Sequence, residues 1–383
     1  MVQKSVNRLG LYVHVPFCAQ KCTYCDFPSW GGQMALRQPY VEKVVEEIRS
    51  RGAEAPDKGV DTVYIGGGTP SLLKPEQMTL LLTALGEEFD MADDAEISCE
   101  VNPGMVSERF LLAARAGGVN RISLGAQASQ GALLSMLGRQ HDWPQVVETV
   151  DSIKAAGITN INVDLMFGLP GQSLQQWDET LRKALDLQVT HLSCYGLIPE
   201  EGTPLNEALE QGRLSLPQVE EEREMYDRAK ALLAAAGFEQ YEISNFALPG
   251  YACRHNLGCW DRVPYLGLGC AAHSLVHNAL RRQNPMTLRG YLQGEAPEEQ
   301  PLPIAEQMFE TMMLGLRKTE GVSLQRFEQT FGESIETVYN HQLSRSLQRK
   351  LLVFEQGFLR LTERGMDVMN TVLLDLMETY RIE

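Results

Sequence analysis

Short strand-like runs alternate with longer amphipathic helical patterns through the first half of the chain, and this alternation limits the possible folds more than any other feature. About six strand–helix units fit into roughly 195 residues. Neighbouring strands in such a series run parallel, because each crossover carries a helix. Six units are too few to close an eight-stranded barrel. The pattern therefore predicts an α/β fold, as either a partial, open (β/α)6 barrel or a doubly wound sheet.

The predicted strands and helices place the chemically distinctive residues at one edge of the sheet. The strands cover residues 11–15, 62–65, 96–101, 121–126, 160–166 and 191–195, and the helices cover 40–51, 75–89, 107–116, 144–156 and 174–187. In both candidate folds, ligands bind at the carboxyl ends of the parallel strands. A cysteine cluster, a run of glycines and several polar side chains lie at those ends. Their convergence predicts a functional site there.

The second half of the chain has a different pattern. A charged helix is predicted over 217–236, a loop-rich stretch over 239–269, and a mostly helical part with a hairpin at 354–365. We therefore expect a core barrel at 1–215, a linker helix and loop region at 216–300, and a winged-helix-like module at 301–383. Because this last part carries nine Lys or Arg and twelve Asp or Glu, we favour a structural or docking role over DNA binding.

The charge balance excludes several classes of partner. The chain has 50 acidic and 34 basic residues, a formal net charge of −16, whereas nucleic-acid and anionic-membrane surfaces need a basic face. No apolar run approaches the roughly 18 residues of a spanning helix, and no apolar leader core precedes residue 11. We expect a cytoplasmic protein that binds no nucleic acid and does not insert directly into a membrane.

Three of the eight cysteines lie on one short segment, Cys18-Ala-Gln-Lys-Cys22-Thr-Tyr-Cys25, with the spacing CxxxCxxC. Soft thiolate ligands on one loop indicate zinc or an iron–sulfur centre. A structural zinc site normally has a fourth Cys or His, but Asp26 and Phe27 follow the third cysteine directly. The motif favours a [4Fe–4S] cluster with one open iron, and a zinc loop completed by a distant ligand is the alternative.

This cysteine motif after a first strand resembles the radical S-adenosylmethionine (SAM) superfamily. A closer resemblance, to the oxygen-independent coproporphyrinogen III oxidase family, rests on residues 12–18 (YVHVPFC), 66–70 (GGGTP), 100–103 (EVNP), 120–127 (NRISLGAQ), 137–139 (LGR) and 162–170 (NVDLMFGLP). It implies a partial (β/α)6 radical-SAM barrel with a C-terminal, mostly helical, winged-helix-like module. It also implies that Cys18, Cys22 and Cys25 ligate the cluster. In this superfamily SAM chelates the open iron, and an electron from the cluster yields a 5′-deoxyadenosyl radical.

The resemblance further implies a set of SAM-binding residues: Tyr12, Tyr24, Gly66, Gly67, Gly68, Thr69, Glu100, Gln127, Arg139 and Asp164. The glycines let the backbone approach the SAM amino group. Glu100 and Asp164 suit the ribose hydroxyls or the sulfonium region, and Gln127 and Arg139 suit the ribose and the SAM carboxylate. Taken singly, each polar residue also has an ordinary structural explanation, and a tight turn would account for one glycine.

Three features separate the chain from the oxidase and resemble the heme chaperone branch of the family, known as HemW. Phe27 stands where the oxidase has a fourth cysteine, and only about ten residues precede the first strand, where the oxidase has a long arm. Residues 253–260 (CRHNLGCW) resemble the HNxxYW motif of the heme chaperones. This motif implies bound heme, and the residues expected to contact it are His255, Asn256, Cys259, Trp260 and His273.

His255 is the expected axial ligand of the heme iron. Cys259 replaces the tyrosine of the motif, and a thiolate also ligates heme iron. The alternative is that His255, Asn256 and Trp260 fix a loop over the mouth of the barrel. His273 either contacts heme or lies near the adenosine of SAM.

The expected function is that of a cytosolic heme chaperone that delivers heme to acceptor proteins such as respiratory enzymes, with a [4Fe–4S] cluster, SAM and heme as cofactors. One alternative is a coproporphyrinogen III oxidase, which removes propionate carboxyl groups by radical chemistry. The other is a radical SAM methyltransferase, which usually needs a second SAM. Phe27 and the short N-terminal segment disfavour the oxidase, whereas the SAM-binding residues are common to both branches.

Overall fold

The computed structural model describes residues 8–53 and 59–380. Residues 1–7, on which the predictions of a short arm and no leader depend, lie outside the described residues. No helix in the described part of the chain is long and apolar enough to cross a bilayer.

The first half of the chain folds as the predicted strand–helix series. Its strands are β1 (Arg8–Val15), β2 (Phe17–Cys18), β3 (Trp30–Gly31), β4 (Gly59–Gly67), β5 (Met91–Val101), β6 (Arg121–Gln127), β7 (Asn160–Phe167) and β8 (His191–Gly196). Its helices are α1 (Arg37–Gly52), α2 (Pro75–Glu88), α3 (Glu108–Ala116), α4 (Gly131–Met136), α5 (Trp143–Ala155) and α6 (Leu174–Asp186). Strands β1 and β4 to β8 are parallel neighbours in an open row, so the partial-barrel prediction is confirmed.

The two faces of this row have opposite chemistry. Leu11 and Val13 of β1 are fully buried in the core that the helices cover, because successive side chains of a strand point to opposite faces. The other face, which we call the inner face, carries Tyr12 and its register partner Tyr64. Across the neighbouring strands this inner face also carries Glu100, Ser123, Asn162 and Asp164.

The next part of the chain adds both edges of the main sheet, a feature that the prediction of a loop-rich stretch at 239–269 missed. It contains α7 (Pro204–Glu210), α8 (Val219–Ala235), β9 (Glu239–Gln240), β10 (Asn245–Ala247), α9 (Arg254–Trp260), β11 (Tyr265–Leu268), β12 (His273–Val276), β13 (Leu280–Gln283), α10 (Leu288–Gln293) and β14 (Glu298–Pro301). Strand β11 pairs in parallel with β1, and β12 to β14 continue antiparallel from it. Strands β10 and β9 extend the opposite edge beyond β8. The sheet therefore has twelve strands.

The C-terminal part has its own apolar core, and the prediction of a winged-helix-like module is confirmed. It contains α11 (Ile304–Gly315), β15 (Val322–Ser323), α12 (Leu324–Phe331), α13 (Ile335–Val338), α14 (Asn340–Gln348), β16 (Leu352–Glu355), β17 (Phe358–Leu361), α15 (Glu363–Asp367) and α16 (Met369–Tyr380). The strands form a small sheet in the order β15-β17-β16. Gln356 and Gly357 join its hairpin, and both have positive φ, as a two-residue turn of this kind requires.

Glu47 of α1 connects the barrel to the turn that follows β11. Its Oε2 accepts hydrogen bonds from the Gly269 N–H at 2.8 Å and the Tyr291 hydroxyl at 2.7 Å. Its Oε1 accepts a hydrogen bond from Asn284 Nδ2 at 2.8 Å. The side chain is 12% exposed. Because a carboxylate accepts all three bonds in a shielded position, this junction depends on its two acceptor oxygens.

We expect Glu47→Gln to lower the free energy of unfolding by about 2 kcal/mol, because the amide NH2 would face donors and leave them without an acceptor. Urea unfolding followed by circular dichroism measures this change. The adjacent Glu46→Gln is the matched control. Glu46 is 65% exposed, and among the residues that the structure describes it pairs with Lys43, so we expect a change within about 0.5 kcal/mol. Equal stabilities of the two variants would contradict the prediction.

Candidate functional site

The CxxxCxxC segment forms the loop that begins at the carboxyl end of β1. Its three thiols are free and partly exposed. The loop is held between its cysteines, because Thr23 donates to the carbonyls of Leu137 and Met136, both at 3.0 Å. The Thr23 carbonyl in turn accepts the Leu205 N–H at 2.9 Å. Contacts with the end of α4 and the start of α7 therefore set the loop conformation independently of the thiols.

His14 links this loop to the glycine run after β4. Its Nε2 donates to the Pro28 carbonyl at 2.8 Å, which requires the neutral ring to carry its proton on Nε2. Its Nδ1 then accepts from the Tyr12 hydroxyl at 2.9 Å. Gly67 has a φ of +109°, and a Cβ there would lie 2.4 Å from the His14 ring. Glycine is therefore required at this position by packing inside the protein.

The two flanking glycines are also explained by packing. A Cβ on Gly66 would lie 2.8 Å from the Glu100 carboxyl carbon, and a Cβ on Gly68 would lie 2.6 Å from the Phe17 carbonyl oxygen. A tight turn alone would explain only one of these glycines. The structure gives a steric reason for all three, because β4, β5 and the cysteine loop meet closely here.

Two carboxylates lie on the inner face near these glycines. Glu100 accepts the Tyr64 hydroxyl on Oε1 and the Gly67 N–H on Oε2, both at 3.0 Å. Asp164 accepts Ser123 Oγ at 3.0 Å and Asn162 Nδ2 at 2.8 Å. Burial, reinforced by the charge of Asp164, raises the pKa of Glu100 to about 7. Burial also raises the pKa of Asp164, against its hydrogen bonds.

Arg139 and Thr69 connect the carboxylate region to the cysteine loop. Arg139 donates to Asn102 Oδ1 at 2.8 Å and to Cys22 Sγ at 3.5 Å. Thr69 Oγ1 accepts from Asn102 Nδ2 at 2.9 Å and lies 3.9 Å from Cys18 Sγ. These contacts bring residues that follow β4, β5 and α4 to the same edge of the sheet, the edge that the sequence predicts for ligand binding.

Two buried polar atoms in this region have no hydrogen-bond partner among the described residues: Arg139 Nε and Gln127 Oε1. Such atoms are costly unless a ligand satisfies them. An unpaired donor and acceptor next to a loop with three free thiols fit a polar cofactor bound beside a thiolate-ligated cluster. Within the described ranges, no three His, Cys, Asp or Glu side chains lie close enough together to hold a single metal ion.

Tyr24 and Tyr12 have different surroundings. Tyr24 packs against an apolar cluster that includes Leu137 and Leu205. Tyr12 lies on the inner face and stacks on Tyr64 with a centroid distance of 6.4 Å. Tyr12 therefore borders the carboxylate region directly, whereas Tyr24 contributes packing behind the cysteine loop.

Helix α9, which carries the HNxxYW-like segment, closes the opposite end of the barrel. His255 Nδ1 is hydrogen bonded to Thr62 Oγ1 at 2.9 Å, and a Cβ on Gly10 would lie 3.5 Å from the His255 ring. Thr62 and Gly10 precede the carboxyl ends of their strands by about five residues, or about 16 Å. The segment is therefore fixed by hydrogen bonds and packing, as in the alternative, but away from the barrel mouth where the carboxyl ends of the strands meet.

Glu96 of β5 holds the start of α9. Its Oε1 accepts the His255 N–H at 3.1 Å and the Cys253 thiol at 3.4 Å, and its Oε2 accepts the Arg254 N–H at 3.0 Å. Sequence reasoning missed Glu96 and Thr62. The available signal was their spacing, since each lies an even number of residues before an inner-face residue, Glu100 and Tyr64.

The remaining residues of the expected heme set lie on α9 and on β12. Asn256 and Cys259 are partly buried in α9, and burial raises the pKa of Cys259 to about 11, so its thiol is protonated at neutral pH. The Trp260 ring lies under the Arg317 guanidinium at 4.6 Å. His273 is exposed at the start of β12, after the turn beside the carboxyl end of β1. The structure therefore does not bring His273 together with His255.

Burial, with the nearby charge of Arg121, lowers the pKa of His255 to about 4. The ring is 7% exposed. It is consequently neutral at physiological pH, and one ring nitrogen keeps its lone pair. In this structure α9 packs against β4, and Nδ1 of the ring is hydrogen bonded to Thr62.

Comparisons with known proteins agree with this architecture. Residues 12–184 match the Radical SAM superfamily, and residues 302–368 match the HemN C-terminal domain. The solved structure of coproporphyrinogen III oxidase (HemN) from Escherichia coli superposes with a TM-score of 0.83 at 23% identity, covering 96% of this chain and 90% of that chain. At this identity the match shows a common fold.

Sequence relatives are similar along nearly the whole chain. The Heme chaperone HemW of Lactococcus lactis is 36% identical, covering 94% of this chain and 95% of the relative. The Heme chaperone HemW of Escherichia coli is also 36% identical, covering 95% and 97%, and that of Bacillus subtilis is 35% identical, covering 92% and 95%. Together with the radical SAM match, this shows that the chain belongs to the radical SAM superfamily and, within it, to the HemW family.

Proposed function

We propose that this protein is a cytoplasmic heme chaperone, which binds heme and transfers it to acceptor proteins such as respiratory enzymes. The observation that carries the proposal is the 36% identity to the Heme chaperone HemW of Escherichia coli, which extends over 95% of the chain. The acidic C-terminal module is the proposed docking surface for the acceptor.

Membership of the radical SAM superfamily implies a [4Fe–4S] cluster and SAM. In this proposal Cys18, Cys22 and Cys25 ligate the cluster, because each cysteine of a cubane binds a different iron. The proposed SAM-binding residues are Tyr12, Tyr24, Gly66, Gly67, Gly68, Thr69, Glu100, Gln127, Arg139 and Asp164. The bound cluster supplies one-electron chemistry to SAM. The unpaired Arg139 Nε and Gln127 Oε1 support this placement.

His255 is the proposed axial ligand of heme, and Asn256, Cys259, Trp260 and His273 are the proposed further contacts. The lowered pKa of His255 favours ligation, because iron binds the neutral imidazole. Its burial means that heme binding displaces α9. His273 is exposed and needs no such displacement. Cys259 contributes as a thiol unless iron binding removes its proton, since its pKa is about 11.

We expect the reconstituted protein to retain about one heme per chain after desalting, and His255→Ala to lose most of it because the axial ligand is gone. The measurement adds hemin anaerobically to cluster-bearing protein and records retained heme and its absorption spectrum. His341→Ala is the control for nonspecific binding, since His341 is exposed in the C-terminal module. His273→Ala tests the second contact.

Equal retention by the parent protein and His255→Ala would reject His255 as the ligand. Negligible retention by all proteins would reject heme binding. The oxidase alternative would then be tested with coproporphyrinogen III, by measuring whether decarboxylated product and 5′-deoxyadenosine form together.

We expect Cys25→Ser to abolish the cluster, because serine is a poor ligand for iron in this setting. Iron and sulfide contents, with the charge-transfer absorption of the reconstituted protein, measure the loss from about four irons per chain. Cys259→Ser is the matched control, and it should keep the cluster because Cys259 lies on α9 at the other end of the barrel. A full cluster in Cys25→Ser would contradict the assignment.

A further inference from the structure

One tyrosine side chain connects the two ends of the inner face. The Tyr64 hydroxyl donates to Glu100 Oε1 at 3.0 Å, while the other carboxylate oxygen accepts the Gly67 N–H at 3.0 Å. Both oxygens of Glu100 are therefore held, one by a side chain and one by the glycine run. A carboxylate fixed at both oxygens has one orientation, which preorganises it for a ligand.

The Tyr64 ring packs against a side chain of α9. It stacks on the His255 ring with a centroid distance of 5.3 Å and an interplanar angle of 29°. His255 is in turn fixed by Thr62 through Nδ1 and by Glu96 through its backbone N–H. On its other side Tyr64 stacks on Tyr12. Helix α9 thus reaches the Glu100 carboxylate through a single intervening side chain.

The charges around Glu100 make the Tyr64 hydroxyl important for its ionisation. The groups that face Glu100 are Tyr64 and Gly67 of β4, Tyr12 of β1, Arg121 of β6 and Asp164 of β7. Burial and Asp164 raise the pKa of the carboxyl to about 7, and the hydrogen bonds from Tyr64 and Gly67 oppose this rise. Removal of the hydroxyl would therefore leave more of the carboxyl protonated at neutral pH.

We propose that Tyr64 is a positioning residue of the SAM site, which orients the Glu100 carboxylate and which His255 supports from α9. The inference rests on the proposed assignment of Glu100 to SAM binding. SAM carries a positive sulfonium, so its affinity depends on the ionised form of Glu100. This role of Tyr64 does not depend on bound heme, and it gives the HNxxYW-like helix a part in SAM binding through His255.

The test measures SAM affinity by equilibrium dialysis on anaerobically reconstituted protein between pH 6 and 8.5, with cluster content determined for each variant. Tyr64→Phe keeps the ring and removes the hydroxyl. We expect its affinity to fall about three- to tenfold at pH 7 and less than twofold at pH 8.5, because the ionisation midpoint rises by about one pH unit. Tyr226→Phe is the control, since it loses a hydroxyl bond to the Ile243 carbonyl away from the site.

A purely structural role for Tyr64 would lower the affinity equally at both pH values, and that result would overturn the proposal, as would an unchanged affinity at pH 7. Glu100→Gln separates this inference from the site assignment, because it should weaken SAM binding at every pH and remove the pH dependence. If Glu100→Gln has no effect, the assignment of Glu100 fails. If it weakens binding while Tyr64→Phe does not, only the role of Tyr64 fails.

A second pair of variants tests whether α9 supports Tyr64. This pair also keeps the proposal testable if Tyr64→Phe yields no folded protein. His255→Ala removes the ring beneath Tyr64, and His255→Phe keeps a ring there. We expect His255→Ala to reduce SAM affinity at pH 7 by about threefold or more and His255→Phe to restore most of it. Equal SAM affinities in His255→Ala and the parent protein would overturn the supporting role of His255.

Discussion

The inner face of the partial barrel buries two carboxylates. Their burial is unfavourable, and the surrounding side chains lower its free-energy cost. Removing a charged group from water is unfavourable unless hydrogen bonds and opposite charges replace the solvent. Glu100 and Asp164 each accept two hydrogen bonds, and Arg121 lies nearby with 1% exposure. The compensation is incomplete, as the raised pKa of both carboxyls shows. A cationic ligand would complete this compensation. The buried negative charge that is unfavourable in the free protein therefore favours binding of a sulfonium.

Strand β4 connects the parts of this site along the length of the barrel. Thr62, Tyr64 and Gly66 alternate along one face: Thr62 contacts α9, Tyr64 contacts Glu100, and Gly66 begins the glycine run beside Glu100. Four residues of a strand span about 13 Å. The two ends of the barrel therefore share a rigid element, and a sheet strand bonded on both sides has little freedom to accommodate a change at one end without affecting the other.

The sequence predicted most of the core barrel because periodicity and turn signals there are local. The cysteine spacing identified the loop, and the helix predicted over 107–116 is observed, with Ser107 as its N-cap and Gly117 after its last residue. Strand β11 was missed because Tyr265–Leu268 is four residues long and is followed by Gly269, so its pattern is too short to read. The position of α9 could not be predicted from the sequence either. It depends on Thr62 and Glu96, which lie far away in the sequence and whose roles appear only once the strands are in register.

Helix α9 is joined to the C-terminal module as firmly as to the barrel. The Trp260 ring lies under Arg317, and Asp261, directly after the helix, pairs with Lys318. Arg262 has a side chain that is 4% exposed, and it pairs with Glu310 of α11. Breaking a buried pair of this kind costs about 3–5 kcal/mol, so the link to the module is comparable with the hydrogen bonds that Thr62 and Glu96 of the barrel make with the helix. A displacement of α9 that keeps these pairs therefore carries the module with it, so that the heme motif and the surface proposed for docking move together.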